Sequence, residues 1–178
     1  MNDTKIIECA YELGFSDAAI IGTEKIVFDA AFRPYCEENL CGQYGINYSC
    51  PPDCGTPEQM KARVLSHKKA LVLRTEWNID INDSDAVKKA KKSHNDATMC
   101  LIDTLKSEGC SGFMIGSSGC SLCTPCALAS GGPCKYPDKR FSCMSAYCIY
   151  VKNLAHKCSM EYDYKNGKLA LFGMYVFD

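Results

Sequence analysis

Gly112-Phe113-Met114-Ile115-Gly116-Ser117-Ser118-Gly119-Cys120-Ser121-Leu122-Cys123-Thr124-Pro125-Cys126 is the stretch from which the rest of the chain is read. Its first five residues are a short apolar run between glycines, the pattern of a buried strand. The run leads directly into three cysteines spaced C-x2-C-x2-C, and Cys134 follows in Pro133-Cys134-Lys135-Tyr136-Pro137. A thiol motif at the C-terminal end of a strand sits where open α/β sheets place their ligand sites. Three thiolates at this spacing face one iron–sulfur cube when the chain curls round it, and Cys134 closes the fourth corner. Ferredoxin-type runs share the C-x2-C-x2-C part, whereas structural zinc takes cysteines as two pairs set well apart. The expectation is a [4Fe–4S] cluster on Cys120, Cys123, Cys126 and Cys134, with zinc or a disulfide role as alternatives. Gly116 and Gly119 let backbone N–H groups approach the cluster, and Lys135 and Arg140 bring positive charge close in sequence.

Working outward, a helix is expected from about Asp85 to Ser107, with Val87, Ala90, His94, Ala97, Leu101 and Leu105 as its inward stripe. Ala70–Leu73, reaching towards Trp77, reads as a central strand because Ala-Leu-Val-Leu is nearly continuous apolar. Thr56-Pro57-Glu58-Gln59 carries a capping-box pattern and opens a helix continued by Met60, Val64 and Leu65. Near the start, Thr4–Leu13 is a helix stopped by Gly14. Ala18–Gly22 is a buried strand, and Ile26–Phe28 either extends it or forms another. Past the motif, Ser142–Cys158 reads as a helix with Met144, Cys148, Val151, Leu154, Ala155 and Cys158 on one face. Lys165-Asn166-Gly167 between strand-like runs signals a hairpin. The expected fold is α/β: a single domain over residues 1–178, a mixed β-sheet flanked by helices, long cysteine-bearing loops and a C-terminal β-hairpin.

One of those loops carries a second thiol group, Cys36, Cys41, Cys50 and Cys54, spaced C-x4-C-x8-C-x3-C and punctuated by Gly, Asn and Pro. Long irregular loops in compact domains are usually functional or disordered. Four cysteines within one point to a second cluster, with zinc as the main alternative. Cys50-x3-Cys54 resembles the start of a radical-SAM motif, but Pro57 stands where its third cysteine is needed. Of the remaining cysteines, Cys148 and Cys158 belong to a helical apolar stripe, while Cys110 and Cys143 are reserve ligands by sequence proximity. His67, His94 and His156 have no mutual ligand spacing. Lys88, Lys89, Lys91 and Lys92 form a basic patch that suits either solvent or an acidic redox partner.

Composition narrows the function further. Twenty Lys and Arg against 21 Asp and Glu give no basic field for nucleic acid or a membrane surface. The N-terminus lacks the features of a secretory signal, and no run is apolar and long enough to span a bilayer. Fourteen cysteines are therefore expected to be reduced and cytoplasmic, as ligands rather than bridges. No phosphate-binding glycine loop, dinucleotide fingerprint or Ser-His-Asp arrangement is present. Oligomeric state is left open.

The combined pattern resembles a family of small cysteine-rich proteins described as predicted metal-binding proteins, largely of anaerobic prokaryotes. The resemblance rests on Cys36-x4-Cys41-Gly-x-Tyr44-Gly45-x-Asn47-x-x-Cys50-Pro51-Pro52, on Gly119-Cys120-x2-Cys123-x2-Cys126, and on Pro133-Cys134-x2-Pro137. It continues through Ser142–Tyr147 to the final Phe-Gly-Met-Tyr-Val strand, covering nearly the whole chain. It implies metal or iron–sulfur binding without a reaction. In that pattern Cys36, Cys41 and Cys50 belong to the motif while the place of Cys54 varies. The lead expectation is two [4Fe–4S] clusters serving electron transfer or a redox accessory role with a protein partner. One alternative is a reductase using an open iron on the N-terminal cluster, the other a structural or metal-handling zinc protein.

Overall fold

The computed structural model describes residues 1–178. In chain order its strands are β1 (Asp17–Gly22), β2 (Lys69–Asn78), β3 (Gly112–Gly116), β4 (Ser142–Cys143) and β5 (Lys168–Phe177). They form one sheet in the order β1-β2-β5-β3-β4. All neighbours are antiparallel except β3 and β4, which run parallel, so the sheet is mixed. The helices are α1 (Asp3–Glu12), α2 (Arg33–Glu37), α3 (Pro57–Leu65), α4 (Ser84–Ser107) and α5 (Val151–Lys157).

Strands β2 and β5 form the spine of the sheet, paired from Lys69↔Phe177 to Asn78↔Lys168. Ala70, Val72, Phe172, Met174 and Val176 face a core shared with Met60 and Val64 of α3 and Leu154 and Ala155 of α5. Leu71, Leu73, Tyr175 and Phe177 face a second core with Ile6 and Ala10 of α1 and Leu101 and Leu105 of α4. Both faces are thus covered. This is why Ala-Leu-Val-Leu reads as continuous apolar even though its pairing is antiparallel.

Local signals set most element ends. Asn2 caps α1 through Lys5 N–H, and Asp83 caps α4 through Asp85 and Ala86 N–H. Thr56 and Gln59 close the reciprocal capping box of α3. α4 ends on Gly109 at φ +84, with Cys110 N–H returning to the Leu105 carbonyl, the arrangement that satisfies the last carbonyls of a helix.

The structure departs from the sequence reading in four places, the first being that Cys36, read as part of an irregular loop, sits in the short helix α2. The helix expected over Ser142–Cys158 is confined to Val151–Lys157. Ser142 and Cys143 pair instead with Ile115 and Gly116 on the otherwise open edge of β3. Cys148 then adopts φ +55, a left-handed conformation that breaks any helical path. Met144 and Cys148 are buried as expected, together with Tyr147 and Ile149, but in a turn rather than on a helix face. Ile26–Phe28 neither extends β1 nor joins the sheet; Phe28 makes one bridge to Ile149. The turn at Asn166 (φ 53) and Gly167 (φ 74) forms, but its first arm is a single bridge between Lys165 and Lys168. β5 pairs with β2 and β3 because its two apolar faces need the sheet centre.

Candidate metal centre

Strand β3 launches the cysteine motif, and Asn95 of α4 fixes the launch. This fully buried side chain accepts from Ser117 N–H (2.9 Å) and donates to Ser118 Oγ (2.9 Å). A Cβ on Gly116 would lie 2.8 Å from the Phe141 ring and 2.9 Å from Asn95 Oδ1, so only glycine fits beneath them. Beyond this point the chain curls. Cys120, Cys123, Cys126 and Cys134 line one concavity of about 260 Å³, counting its open mouth. Asn47, Tyr48, Leu122, Tyr136 and Arg140 complete the lining. The Arg140 guanidinium lies 5.7 Å from the Tyr48 ring centre, which holds a fixed positive charge at the wall. Burial pushes the Cys120 thiol up, while N–H groups of Leu122 and Phe141 directed at its sulfur pull it down.

The second thiol group gathers round the other side of the same turn. Burial raises Cys36 to about 11 and Cys50 to about 12, and the neighbouring Cys143 thiol adds to both. Cys54 is raised by burial as well, against the lowering effect of Arg33. A ligand bound here as thiolate has to displace those protons. Beneath the group lies Arg33, with 8% of its surface exposed. Its Nη1 donates to the Gly55 carbonyl (3.0 Å) and its Nη2 to the Ala146 carbonyl (2.8 Å), while Nε has no partner. No carboxylate pairs with it, although Arg74, the other buried arginine, is held by both Asp17 and Glu76. A buried guanidinium without an anion is costly, and the nearby thiols of Cys36 and Cys54 would offset it only in their deprotonated form.

The two groups share a wall. Asn47 Nδ2 donates to the Cys120 carbonyl (3.1 Å), and Cys120 N–H donates to Ser49 Oγ (2.9 Å). Asn47 Oδ1 in turn accepts from Ser49 N–H (3.0 Å) and Ser49 Oγ (2.9 Å). Tyr48 OH reaches the Gly132 carbonyl at 3.0 Å. A Cβ on Gly119 would stand 3.0 Å from Ser49 Oγ and 3.2 Å from Cys50 Sγ, so this glycine lets the two loops meet.

All fourteen cysteines are free thiols, which leaves the disulfide alternative without a bridge. No three Cys, His, Asp or Glu side chains converge as the ligand set of a single ion. Cys148 is buried and Cys158 packs against the core, as their apolar pattern suggests. Of the two reserve cysteines, Cys110 lies at the far end of β3 and packs in the second core, whereas Cys143 joins the Cys36 group. His94 is a core residue: Nδ1 meets Thr75 Oγ1 at 2.8 Å, and burial lowers it to about 4. Sequence reasoning missed Arg33, Asn95 and Ser49, and held Cys143 only as a reserve ligand beside Cys110. Asn95 and Thr98 beside the apolar stripe of α4 are polar residues on a buried face and carried a usable signal; Arg33 carried none.

A family model described as "Predicted metal-binding protein (DUF2284)" matches residues 19–177. The chain belongs to this family. No curated protein and no solved structure matches it. Every sheet strand but the first two residues of β1 falls inside the matched region, as do both thiol groups of this DUF2284 member. The family description is of a predicted metal-binding protein and names neither the metal nor a reaction. No helix is long and apolar enough to cross a membrane.

Proposed function

We propose that this DUF2284 protein binds two [4Fe–4S] clusters and relays single electrons as a cytoplasmic redox accessory protein. The observation that carries the reading is the single concavity lined by Cys120, Cys123, Cys126 and Cys134 with Arg140 at its wall. Thiolates are soft ligands suited to zinc or iron–sulfur clusters. Zinc–sulfur bonds of about 2.3 Å require ligand sulfurs within roughly 4 Å of one another. Thiols that line one concavity without converging on a point suit a larger body. When bound, a [4Fe–4S] cluster supplies one-electron chemistry at a potential set by charge, hydrogen bonds to sulfur and exposure.

The chain's own residues do the rest. Leu122, Tyr48 and Tyr136 restrict water, Arg140 and Arg33 offset negative charge, and the backbone N–H groups of Leu122 and Phe141 favour the Cys120 thiolate. The Asn47–Ser49 wall holds the second group, on Cys36, Cys41 and Cys50 with a fourth thiol, against the first. The basic face of α4 lies beside the motif, where Ser117 Oγ donates to the Lys91 carbonyl, and suits an acidic redox partner. Anaerobic purification with iron, sulfide and zinc assays and a visible spectrum tests the reading. About eight irons and about eight sulfides per chain, the sum for two cubanes, are expected. Zinc without sulfide would overturn it.

A further inference from the structure

Away from the cysteine concavity the fold builds a second and roomier hollow, and no cysteine lines it. We infer that this hollow is a binding site for a small planar aromatic acid. The inference goes beyond the metal-binding reading and uses none of its ligands.

Three stretches of chain meet there. Phe32 and Tyr35 stand around the start of α2, Ser145 to Lys152 run from β4 into α5, and Tyr162 precedes β5. Hydrogen bonds fix the stretches to one another. Asp29 N–H donates to the Cys148 carbonyl (2.8 Å), Tyr150 N–H to the Val27 carbonyl (2.9 Å), and Arg33 Nη2 to the Ala146 carbonyl (2.8 Å). Lys152 Nζ meets Asp163 Oδ1 at 3.1 Å, which holds the Tyr162 stretch against α5. The walls are therefore set before a guest arrives, and little ordering cost falls on binding.

Size and lining define the guest. The hollow holds about 360 Å³, or about 750 Å³ counting its open mouth, which is the range of small-molecule pockets. Its walls are largely aromatic. The Phe32 and Tyr150 rings meet edge to face with centres 5.6 Å apart, and Phe32 lies 6.5 Å from Tyr35. Yet Tyr35 is 67% exposed, Tyr150 42% and Tyr162 38%. Rings left open in this way offer the offset and edge-to-face contacts that a flat ring makes and an aliphatic one forgoes.

Charge sets the polarity of the guest. Lys152 is the one charged residue of the lining, and no carboxylate shares the walls with it. One of its N–H groups is turned to Asp163, which leaves two for a bound anion. The hydroxyls of Tyr48, Tyr164 and Tyr175 each reach a carbonyl. Those of Tyr35, Tyr150 and Tyr162 bond no protein group, and with Ser145 Oγ they add donors for carboxylate oxygens. Tyr35 directly precedes Cys36, so a bound acid lies beside the N-terminal thiol group.

The test titrates 2-naphthoate into the full chain, purified without air, by isothermal calorimetry. Saturable binding with a Kd of about 1 mM or tighter is expected. Decahydro-2-naphthoate keeps the carboxylate but has no flat ring, and is expected to bind about fivefold more weakly. 2-Naphthamide is flat but uncharged, and is expected to lose about threefold. Tyr35→Leu is expected to weaken 2-naphthoate roughly twofold to tenfold, the worth of one aromatic pair. Lys152→Gln is expected to weaken it up to about fivefold at low salt and less at high salt. Should Lys152→Gln fail to fold without its bond to Asp163, Tyr35→Leu, at a largely exposed position, keeps the test. No saturation by about 10 mM 2-naphthoate, equal binding of either analogue, or unchanged binding in the folded variants overturns the inference. Iron, sulfide and zinc contents of the same preparation decide the metal reading separately, so the failure of one is told apart from the failure of the other.

Discussion

The two thiol groups are built in opposite ways. Cys120, Cys123, Cys126 and Cys134 lie within one loop, and that loop alone supplies the thiols of their concavity. The Cys36 group draws on α2 and a long irregular loop, with Cys143 of β4 as a neighbour and the buried Arg33 beneath it. A local site needs little from the fold beyond a firm anchor, here Asn95 under the end of β3. A dispersed site needs the sheet itself, because β4 reaches its place only by pairing with β3. The difference teaches that the local site should tolerate changes elsewhere, and the dispersed one should not.

The largest expected effect comes from a ligand of the local site. Cys123→Ser should drop the iron content from about eight to about four per chain, leaving the other group in place; an unchanged iron content would remove the ligand assignment. Next is Arg33→Met. It deletes two charge-assisted bonds to buried carbonyls, each worth about 1.5–3 kcal/mol. Denaturant unfolding should show a loss of about 3 kcal/mol, and the iron lost should come from the Cys36 group alone. Equal loss from both groups would erase the contrast between them.

A third experiment probes the scaffold rather than either group. His94 titrates near 6.5 in an unfolded chain and at about 4 in the fold, where burial disfavours its charge. The unfolded state therefore binds more protons between those values, and this part of the stability is complete above about pH 6.5. It falls as pH drops towards 4, by about 2 kcal/mol between pH 7 and pH 5. The difference in unfolding free energy between wild type and His94→Gln at the two pH values measures it. The smallest effect belongs to the shared wall. Asn47→Ala should cost about 1–2 kcal/mol and, unlike Arg33→Met, should disturb the EPR spectra of both groups, since Asn47 touches Cys120 while shaping the Cys50 loop.

What could be read from residues alone follows the same division. Strand β3, the α3 capping box, the long α4 and the local thiol loop all depend on neighbours within a few positions, and the sequence displays them directly. Cys143 was placed at the start of a helix because Met144, Cys148 and Val151 beyond it read as a helix face. The open edge of β3 and the left-handed turn at Cys148 decide otherwise. Arg33 beside Pro34 looks like an ordinary helix start, and nothing nearby in the chain shows that carbonyls at Gly55 and Ala146 will enclose it.

The bond from Cys120 N–H to Ser49 Oγ joins residues 71 positions apart. During synthesis the Cys36–Cys50 loop leaves the ribosome long before its wall or β4 exists. The early thiols then have neither the clamp nor Cys143, so premature capture of a metal finds an unfinished cage. The loop made first is therefore among the last to gain its neighbours, since the Asn47–Ser49 clamp closes only once Cys120 has been made.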